Sequence, residues 1–241
     1  MQTVPEPGKL YLLPSPLHPE SDLMTLPAAI APLALRLNHW VVESERSARR
    51  FLRALNPRCT IDGLHFTLLN EHTPPGEVQA MLAPALAGHD IGLLSDAGCP
   101  AVADPGALLV TAAHIHGVPV VPFAGPSAIL LTLMGSGMDG QNFCMHGYLP
   151  IEANARVKAL KGLEAESRRQ GGATHLFIET PYRNRQMMAA LEQSLRSNTR
   201  LCIGAGLGGP SPVLLTKTLA EWRGNWPDLH KIPAVFALQA W

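Results

Sequence analysis

The segment Leu93-Leu94-Ser95-Asp96-Ala97-Gly98-Cys99-Pro100-Ala101-Val102-Ala103-Asp104-Pro105-Gly106 decides the fold of this chain. Its apolar start predicts a buried strand that ends near Asp96, and open α/β sheets bind ligands at the carboxyl ends of such strands. Gly98 lets the backbone approach a bound molecule closely. Asp104 and Pro105 suit the N-cap and the first position of a helix. An ordinary strand-to-helix connection is the alternative interpretation.

Short apolar runs and helical patterns alternate on both sides of this segment. Strands are predicted at 10–13, 40–42, 66–69, 91–94 and 118–121, and helices at 47–55, 75–86, 105–116 and 126–135. Pro27 and Pro32 divide the segment 22–37 into two short helical pieces. This alternation predicts an α/β fold with a mainly parallel sheet.

The second half predicts another α/β unit with a mixed sheet. Helices are predicted at 153–170 and 181–195, and strands at 175–178, 201–205, 213–216 and 234–239. The segment 143–150 is interpreted as the crossover, so the predicted domains are 1–142 and 143–241.

Composition limits the possible classes of protein. With 241 residues, 46% of them hydrophobic, the chain can bury two cores. It contains neither a run of about 20 apolar residues nor a signal-peptide pattern, which predicts a cytoplasmic protein with no membrane partner. The four cysteines are widely spaced, so no metal site is predicted.

The net charge of zero conceals two opposite halves. Residues 1–150 carry 7 Lys and Arg against 12 Asp and Glu, whereas residues 151–241 carry 12 against 7. A basic second half suits contact with RNA phosphates. Docking between oppositely charged halves or protomers is the alternative explanation.

Six segments, in order, resemble the tetrapyrrole methylase superfamily of S-adenosylmethionine (SAM) dependent methyltransferases, and most of all its small-subunit rRNA ribose 2′-O-methyltransferase I branch. The segment quoted above resembles the family's SDAGxPxxxDPG loop. The other five are LYLLPSP (10–16), ESER (43–46), VPFAGPSA (121–128), FCMHGYLP (143–150) and FIETPYR (177–183).

The chain departs from the rRNA branch at two motifs. Leu17-His18-Pro19 stands where the family usually has Gly-Asn, and Gly206-Leu207-Gly208-Gly209 stands where it has Glu-Leu-Thr-Lys. The second departure removes an acidic and a basic residue, so it weakens the inference that this chain acts on the same rRNA substrate as the family.

The resemblance implies a homodimer that binds SAM in a cleft between two α/β domains, chiefly through loop backbone. The matching cofactor positions are Asp96, Ala97, Gly98, Cys99, Pro100, Ser127, Ala128, Tyr148, Leu149, Leu207, Pro233 and Ala234. Ser127 is alternatively the N-cap of the following helix.

Transfer of a methyl group to an alcohol requires alignment, exclusion of water and a general base, but no metal. Glu43 and Glu179 each follow a predicted strand and are the catalytic candidates. Arg46, Arg183 and Arg185 are the predicted substrate-binding residues. Structural ion pairs of Glu43 with Arg46 and of Glu179 with Arg183 are the stronger alternative. His72 is a further, weaker candidate.

Three functions remain open on the sequence. The first is methylation of RNA, expected at a ribose 2′-hydroxyl of rRNA within the small ribosomal subunit. The second is methylation of a small molecule such as a tetrapyrrole. The third is a catalytically inactive SAM-binding protein, which the missing Glu-Leu-Thr-Lys motif allows.

Overall fold

A computed structural model describes residues 6–21 and 23–241 of the chain. The chain divides into two units, the first ending at Pro126 and the second running from Ser127 to Trp241. The division falls earlier in the chain than the predicted boundary between 142 and 143. None of the helices in the described residues has the length and apolar character that a membrane span needs.

The first unit contains a five-stranded, fully parallel sheet, which confirms the predicted fold class. Its strands are β1 (Leu10–Leu12), β2 (His39–Val42), β3 (His65–Leu68), β4 (Ile91–Leu94) and β5 (Val120–Pro122). They lie in the order β3-β2-β4-β1-β5. From β1 the chain passes to β2, toward the β3 edge of the sheet, and from β4 it passes to β5, at the opposite edge. The switch point of this doubly wound sheet therefore lies between β1 and β4.

Short and medium helices cover both faces of this sheet. They are α1 (Ile30–Ala34), α2 (Glu45–Leu55), α3 (Pro75–Val78), α4 (Ala83–Leu86) and α5 (Gly106–Ile115), with 3-10 turns at Leu23–Thr25 and Gln79–Leu82. The single helix predicted at 75–86 is thus broken into three pieces, because Pro84 lacks the amide that a continuous helix would use. Two apolar clusters, around Leu82 and around Trp40, form the core.

The second unit contains a mixed five-stranded sheet, as predicted. Its strands are β6 (Phe143–Tyr148), β7 (Thr174–Glu179), β8 (Arg200–Ala205), β9 (Val213–Thr218) and β10 (Ala234–Gln239), in the order β6-β7-β10-β8-β9. Only β6 and β7 are parallel to each other. β6 was predicted only as a crossover. Its register shifts between Met145 and Tyr148, which obscures the strand pattern in the sequence.

Helices pack on both faces of the second sheet. They are α6 (Ala128–Ser136), α7 (Ala153–Arg169), α8 (Asn184–Ser194) and α9 (Leu219–Trp222). On one face, Leu133 of α6 packs with Leu176 and Val235. On the other, residues of α7, α8 and α9 pack around Phe177 and Phe236. Because α6 covers this sheet, it belongs to the second unit.

Candidate functional site

Three loops at the carboxyl edge of the first sheet are tied together by hydrogen bonds. The Ser15 amide donates to the Gly98 carbonyl at 2.9 Å, and the Gly98 amide donates to the Ser15 carbonyl at 3.0 Å. The Cys99 thiol donates to the carbonyl oxygens of Gly125 and Pro126, at 3.5 and 3.4 Å. Burial raises the pKa of this thiol, so it remains a donor. The loops after β1, β4 and β5 therefore form one assembly.

Two glycines allow these loops to approach so closely. Gly98 has φ +77°, and a Cβ there would lie 3.2 Å from the Pro126 carbonyl oxygen and 3.2 Å from Leu17. A Cβ on Gly125 would lie 2.1 Å from the Pro14 side chain. The chain itself therefore occupies part of the space that the sequence assigned to a ligand beside Gly98.

A pocket of about 300 Å³ opens beside this assembly, at the switch point between β1 and β4. This is the position at which doubly wound sheets bind their ligands. The volume is at the lower end of the range for small-molecule sites, about 300–1,000 Å³. The pocket is lined by Ser15, Pro16, Leu17, His18, Pro19, Ser21, Leu23, Ser47, Arg50, Phe51, Ala54, Leu94, Ser95, Asp96 and Ala97.

Three carboxylates lie close together beside the pocket. Glu43 accepts a 2.6 Å hydrogen bond from the Asp96 amide through Oε2. Burial raises the pKa of Glu43, and the charges of Asp104 and Asp96 raise it further, while the Asp96 amide acts in the opposite direction. Burial also raises the pKa of Asp104. No cation of the described residues forms an ion pair with any of these three groups, so the cluster produces a negative potential.

Asp104 also shapes the loop that follows Pro100. Its Oδ1 accepts hydrogen bonds from the amides of Ala101 and Gly106, at 2.9 and 2.7 Å. Ala101 and Ala103 are left-handed, with φ of 66° and 61°. Such conformations cost about 1 kcal/mol each for a residue other than glycine. Helix α5 begins at Gly106 with Pro105 at the N-cap, one position later than predicted.

The two predicted Glu–Arg pairs have different outcomes. In the described residues, no ion pair joins Glu43 to Arg46, which is exposed. Glu179, by contrast, is 4% exposed and accepts from Arg183 Nη2 at 2.6 Å and from Arg183 Nε at 2.8 Å. The Thr180 amide donates to the same oxygen at 2.7 Å. The ion-pair interpretation therefore describes Glu179 but not Glu43.

The predicted cofactor positions of the second unit lie in several environments. Ser127 is the N-cap of α6, and its hydroxyl accepts from the Leu130 amide at 3.4 Å. Ala128, the first residue of α6, is half-buried. Tyr148 is 57% exposed, whereas the Leu149 side chain is buried in the core. Only the backbone of Leu149 is therefore available to a ligand.

Two further second-unit positions lie side by side. The Gly206 amide donates to the Pro233 carbonyl at 3.2 Å, which brings Leu207 and Pro233 into neighbouring loops. Ala234 pairs with both Glu179 and Ala205 at the same end of the sheet. These residues therefore share one edge of the second sheet.

Sequence reasoning predicted only Asp96 and Ala97 among the pocket residues, and it missed several polar ones, among them His18, Ser47 and Arg50. His18 is a departure from the family motif, and its Nδ1 accepts from the Glu20 amide at 3.2 Å, which leaves the proton on Nε2. Arg50 belongs to a series of arginines at helical spacing, and that spacing is the signal that could have found it. His72 is exposed next to Glu71 and does not line the pocket.

Comparison with known sequences identifies close relatives. The chain is 30% identical over 234 residues to ribosomal RNA small subunit methyltransferase I of Escherichia coli O157:H7, covering 97% of the chain and 72% of that protein. It is 33% identical over 221 residues to the protein of the same name from Vibrio cholerae serotype O1, covering 91% and 68%. The match to the Mesorhizobium japonicum protein is 35% identical over 157 residues and covers 49% of it. No family model matches the chain.

Solved structures with this fold show lower sequence identity. The methyltransferase CobJ superposes with a TM-score of 0.63 at 16% identity, covering 96% of this chain and 93% of that one. The uroporphyrin-III-C-methyltransferase of Thermus thermophilus gives a TM-score of 0.55 at 17% identity, covering 96% and 91%. At these identities the similarity shows the fold alone, and that fold is the one the sequence resemblance predicted.

Proposed function

The chain belongs to the ribosomal RNA small subunit methyltransferase I family, and on this premise we propose that it is a SAM-dependent methyltransferase acting on a ribose 2′-hydroxyl of small-subunit rRNA. The observation that carries the proposal is the match to the Escherichia coli relative, which extends over 97% of the chain. The relatives' names supply the substrate class. A homodimer, implied by the resemblance alone, belongs to the same proposal.

The first unit offers a site suited to SAM. The cofactor is a sulfonium cation that supplies an electrophilic methyl group when bound. The carboxylates of Glu43, Asp96 and Asp104 favour a cation, since no ion pair with a cation of the described residues compensates their charge. Asp96 is exposed, so its carboxylate can accept hydrogen bonds from hydroxyl or amino groups. We assign the loop 96–100 to the cofactor on these grounds.

The predicted cofactor positions of the second unit are included in the proposal because of the family resemblance. Leu207, Pro233 and Ala234 lie in loops or strand ends at one edge of their sheet. Pro233 is exposed, Leu207 is half-buried and Ala234 is buried. Ser127 uses its hydroxyl as a helix cap, so its contribution would come through the backbone, together with that of Ala128. Tyr148 contributes an exposed ring, and Leu149 its backbone.

Glu43 is the better candidate for the general base. Its raised pKa brings the carboxylate closer to the range in which a base works efficiently near neutral pH. The Asp96 amide holds Oε2, and no donor of the described residues is bonded to Oε1. Oε1 can therefore take the proton that the ribose hydroxyl loses. Glu179 is fixed by Arg183 and Thr180, and we assign it a structural role.

Methyl transfer to unmethylated small ribosomal subunits tests the proposal. Subunits from a bacterial strain lacking this methylation are incubated with the protein and SAM carrying a labelled methyl group, and the rRNA is then hydrolysed with alkali. A 2′-O-methyl group blocks alkaline cleavage at its nucleotide, so the label is expected in an alkali-resistant dinucleotide. Label in mononucleotides would indicate base methylation. Absence of label from the rRNA, with transfer to a tetrapyrrole, would replace the proposal by the small-molecule alternative.

A further inference from the structure

Helix α2 carries four arginines on one face. Arg46, Arg49, Arg50 and Arg53 follow the i, i+3, i+4, i+7 spacing that aligns side chains along a helix. We name this set the α2 arginine stripe. It extends about 10 Å along the helix axis at about 1.5 Å per residue. Five of the seven cations of residues 1–150 lie between 46 and 58, so the acidic first half has a concentrated basic surface.

Most of the stripe has no carboxylate partner. Arg49 pairs with Glu45 at 3.2 Å and lies over the Phe66 ring at 4.9 Å, which anchors it to the protein. Arg46, Arg50 and Arg53 are exposed, and none of them forms an ion pair or hydrogen bond with a described residue. Three positive charges are therefore available to an external polyanion.

The stripe is continuous with the pocket at the switch point. Arg50 lines both that pocket and the shallow groove formed by Glu45 and the other three arginines. Of the apolar residues of α2, Ala48, Phe51 and Leu52 are buried and Leu55 is half-buried, and the small side chain of Ala54 is the one that is exposed. The exposed face thus lacks the apolar strip with which a helix lies on a membrane surface. A strand of nucleic acid has regularly spaced phosphates and a ribose at each nucleotide, so it matches a row of charges that lies beside a pocket.

Three arginines of the basic second half are neutralised by neighbouring glutamates. Arg168, Arg169 and Arg183 form ion pairs with Glu164, Glu166 and Glu179. Among the predicted substrate-binding residues, Arg183 is therefore neutralised, whereas Arg46 and Arg185 are exposed and have no ion-pair partner in the described residues. Net charge by halves does not locate the unpaired cations.

We propose that the α2 arginine stripe binds the phosphates of the RNA strand next to the methylated nucleotide and leads that strand to the pocket beside Asp96. The inference rests on the proposed function, because it takes RNA as the acceptor. It adds Arg49, Arg50 and Arg53 to Arg46 as RNA contacts, and it assigns the main phosphate surface to the first unit.

A pair of double variants tests the stripe. Arg46→Gln with Arg53→Gln removes two charges from the stripe and leaves Arg50, which lines the pocket, in place. Lys158→Gln with Lys161→Gln is the matched control, because it also removes two charges, and both lysines are exposed on α7 and have no ion-pair partner in the described residues. Glutamine has a high helix propensity, so both double variants are expected to fold. Circular dichroism and the calorimetric affinity for SAM check that they do.

Binding of each protein to unmethylated small ribosomal subunits is measured between 50 and 200 mM salt. The stripe variant is expected to bind at least about tenfold more weakly, with a salt slope lower by about 1.5, since each phosphate contact contributes about 0.7 to 0.9. The control should bind as the parent does, and SAM affinity should be unchanged in both.

Parental affinity and slope in the stripe variant would overturn the inference, as would an equal loss in the control. In either case, methylation by the parent would leave the proposed function standing. If the parent neither binds nor methylates the subunits, the proposed function itself fails.

Discussion

Replacement of Glu43 by glutamine separates proton transfer from the architecture of the site. The amide retains an oxygen that can accept the 2.6 Å hydrogen bond from the Asp96 backbone, but it cannot take up the proton of an alcohol. A general base contributes about 10²- to 10⁴-fold to a rate. Glu43→Gln is therefore expected to lower kcat for methyl transfer at least about 100-fold.

The free energy of unfolding should change little in the same variant. Exchange of a charge-assisted hydrogen bond for a neutral one costs about 1 kcal/mol. Against this, burial and the charges of Asp104 and Asp96 raise the pKa of Glu43 in the folded protein. A raised pKa in the folded protein means that protonated Glu43 stabilises the fold. This stabilisation is complete below the unfolded pKa of about 4.3 and is lost as the pH rises through the folded pKa. At pH 7 the two effects oppose each other, and we expect a net change within about 1 kcal/mol.

The assay measures kcat at saturating SAM and subunits from pH 5 to pH 9, together with thermal unfolding. The parental rate should fall on the acid side, at a pH above the ordinary carboxyl range, and Glu43→Gln should lack this limb. Glu77→Gln, an exposed carboxylate on α3, controls for the change in charge. A kcat within about tenfold of the parent, or an unchanged acid limb in Glu43→Gln, would refute the assignment of Glu43 as the base.

Two further substitutions test the cofactor loop and the buried ion pair. Gly98→Val places a branched side chain at φ +77° and against the Pro126 carbonyl, and should weaken SAM binding in calorimetry more than about tenfold, or about 1.4 kcal/mol. Gly63→Val, whose Cβ would meet nothing within 4 Å, is the control, and near-parental affinity of a folded Gly98→Val protein would contradict the cofactor placement. Glu179→Gln leaves Arg183 without its carboxylate and should cost about 2 kcal/mol, or roughly 4–8 °C in Tm, while kcat stays near the parental value. Parental thermal stability with a large loss of rate would instead make Glu179 catalytic.

The sequence predicted most of the fold because buried strands and their turn residues leave a local signal. The strand Ile91–Leu94 and the strand Ala234–Gln239 have their predicted bounds. Two of the failures depend on contacts that the sequence does not display, whereas the one at Pro84 had a local signal. Pro84 breaks a periodic helical pattern, and the register shift in β6 interrupts the alternation of its side chains. The membership of α6 in the second unit follows from its packing against Leu176 and Val235.

The candidate site was less predictable than the fold. The motif around Asp96 drew attention to a loop that lines the pocket, but the bond from the Asp96 amide to Glu43 joins residues 53 positions apart. Spacing favoured ion pairs for both glutamates, and only Glu179 forms one. The acidic net charge of residues 1–150 gave no sign of the unpaired arginines on α2. A sum of charges cannot distinguish paired from unpaired side chains.

The position of β10 in the middle of the second sheet has a consequence for folding during synthesis. The last strand of the chain pairs with both β7 and β8, so the parallel and antiparallel parts of this sheet are joined only after Ala234–Gln239 has left the ribosome. Every strand of the first sheet is complete by Pro122. We expect the first unit to fold while translation continues. At that stage α6 has already emerged, but its apolar face lacks the residues of β10 against which it packs. Until β10 arrives, that face remains exposed apolar surface, which makes the nascent chain prone to aggregation and a substrate for chaperones.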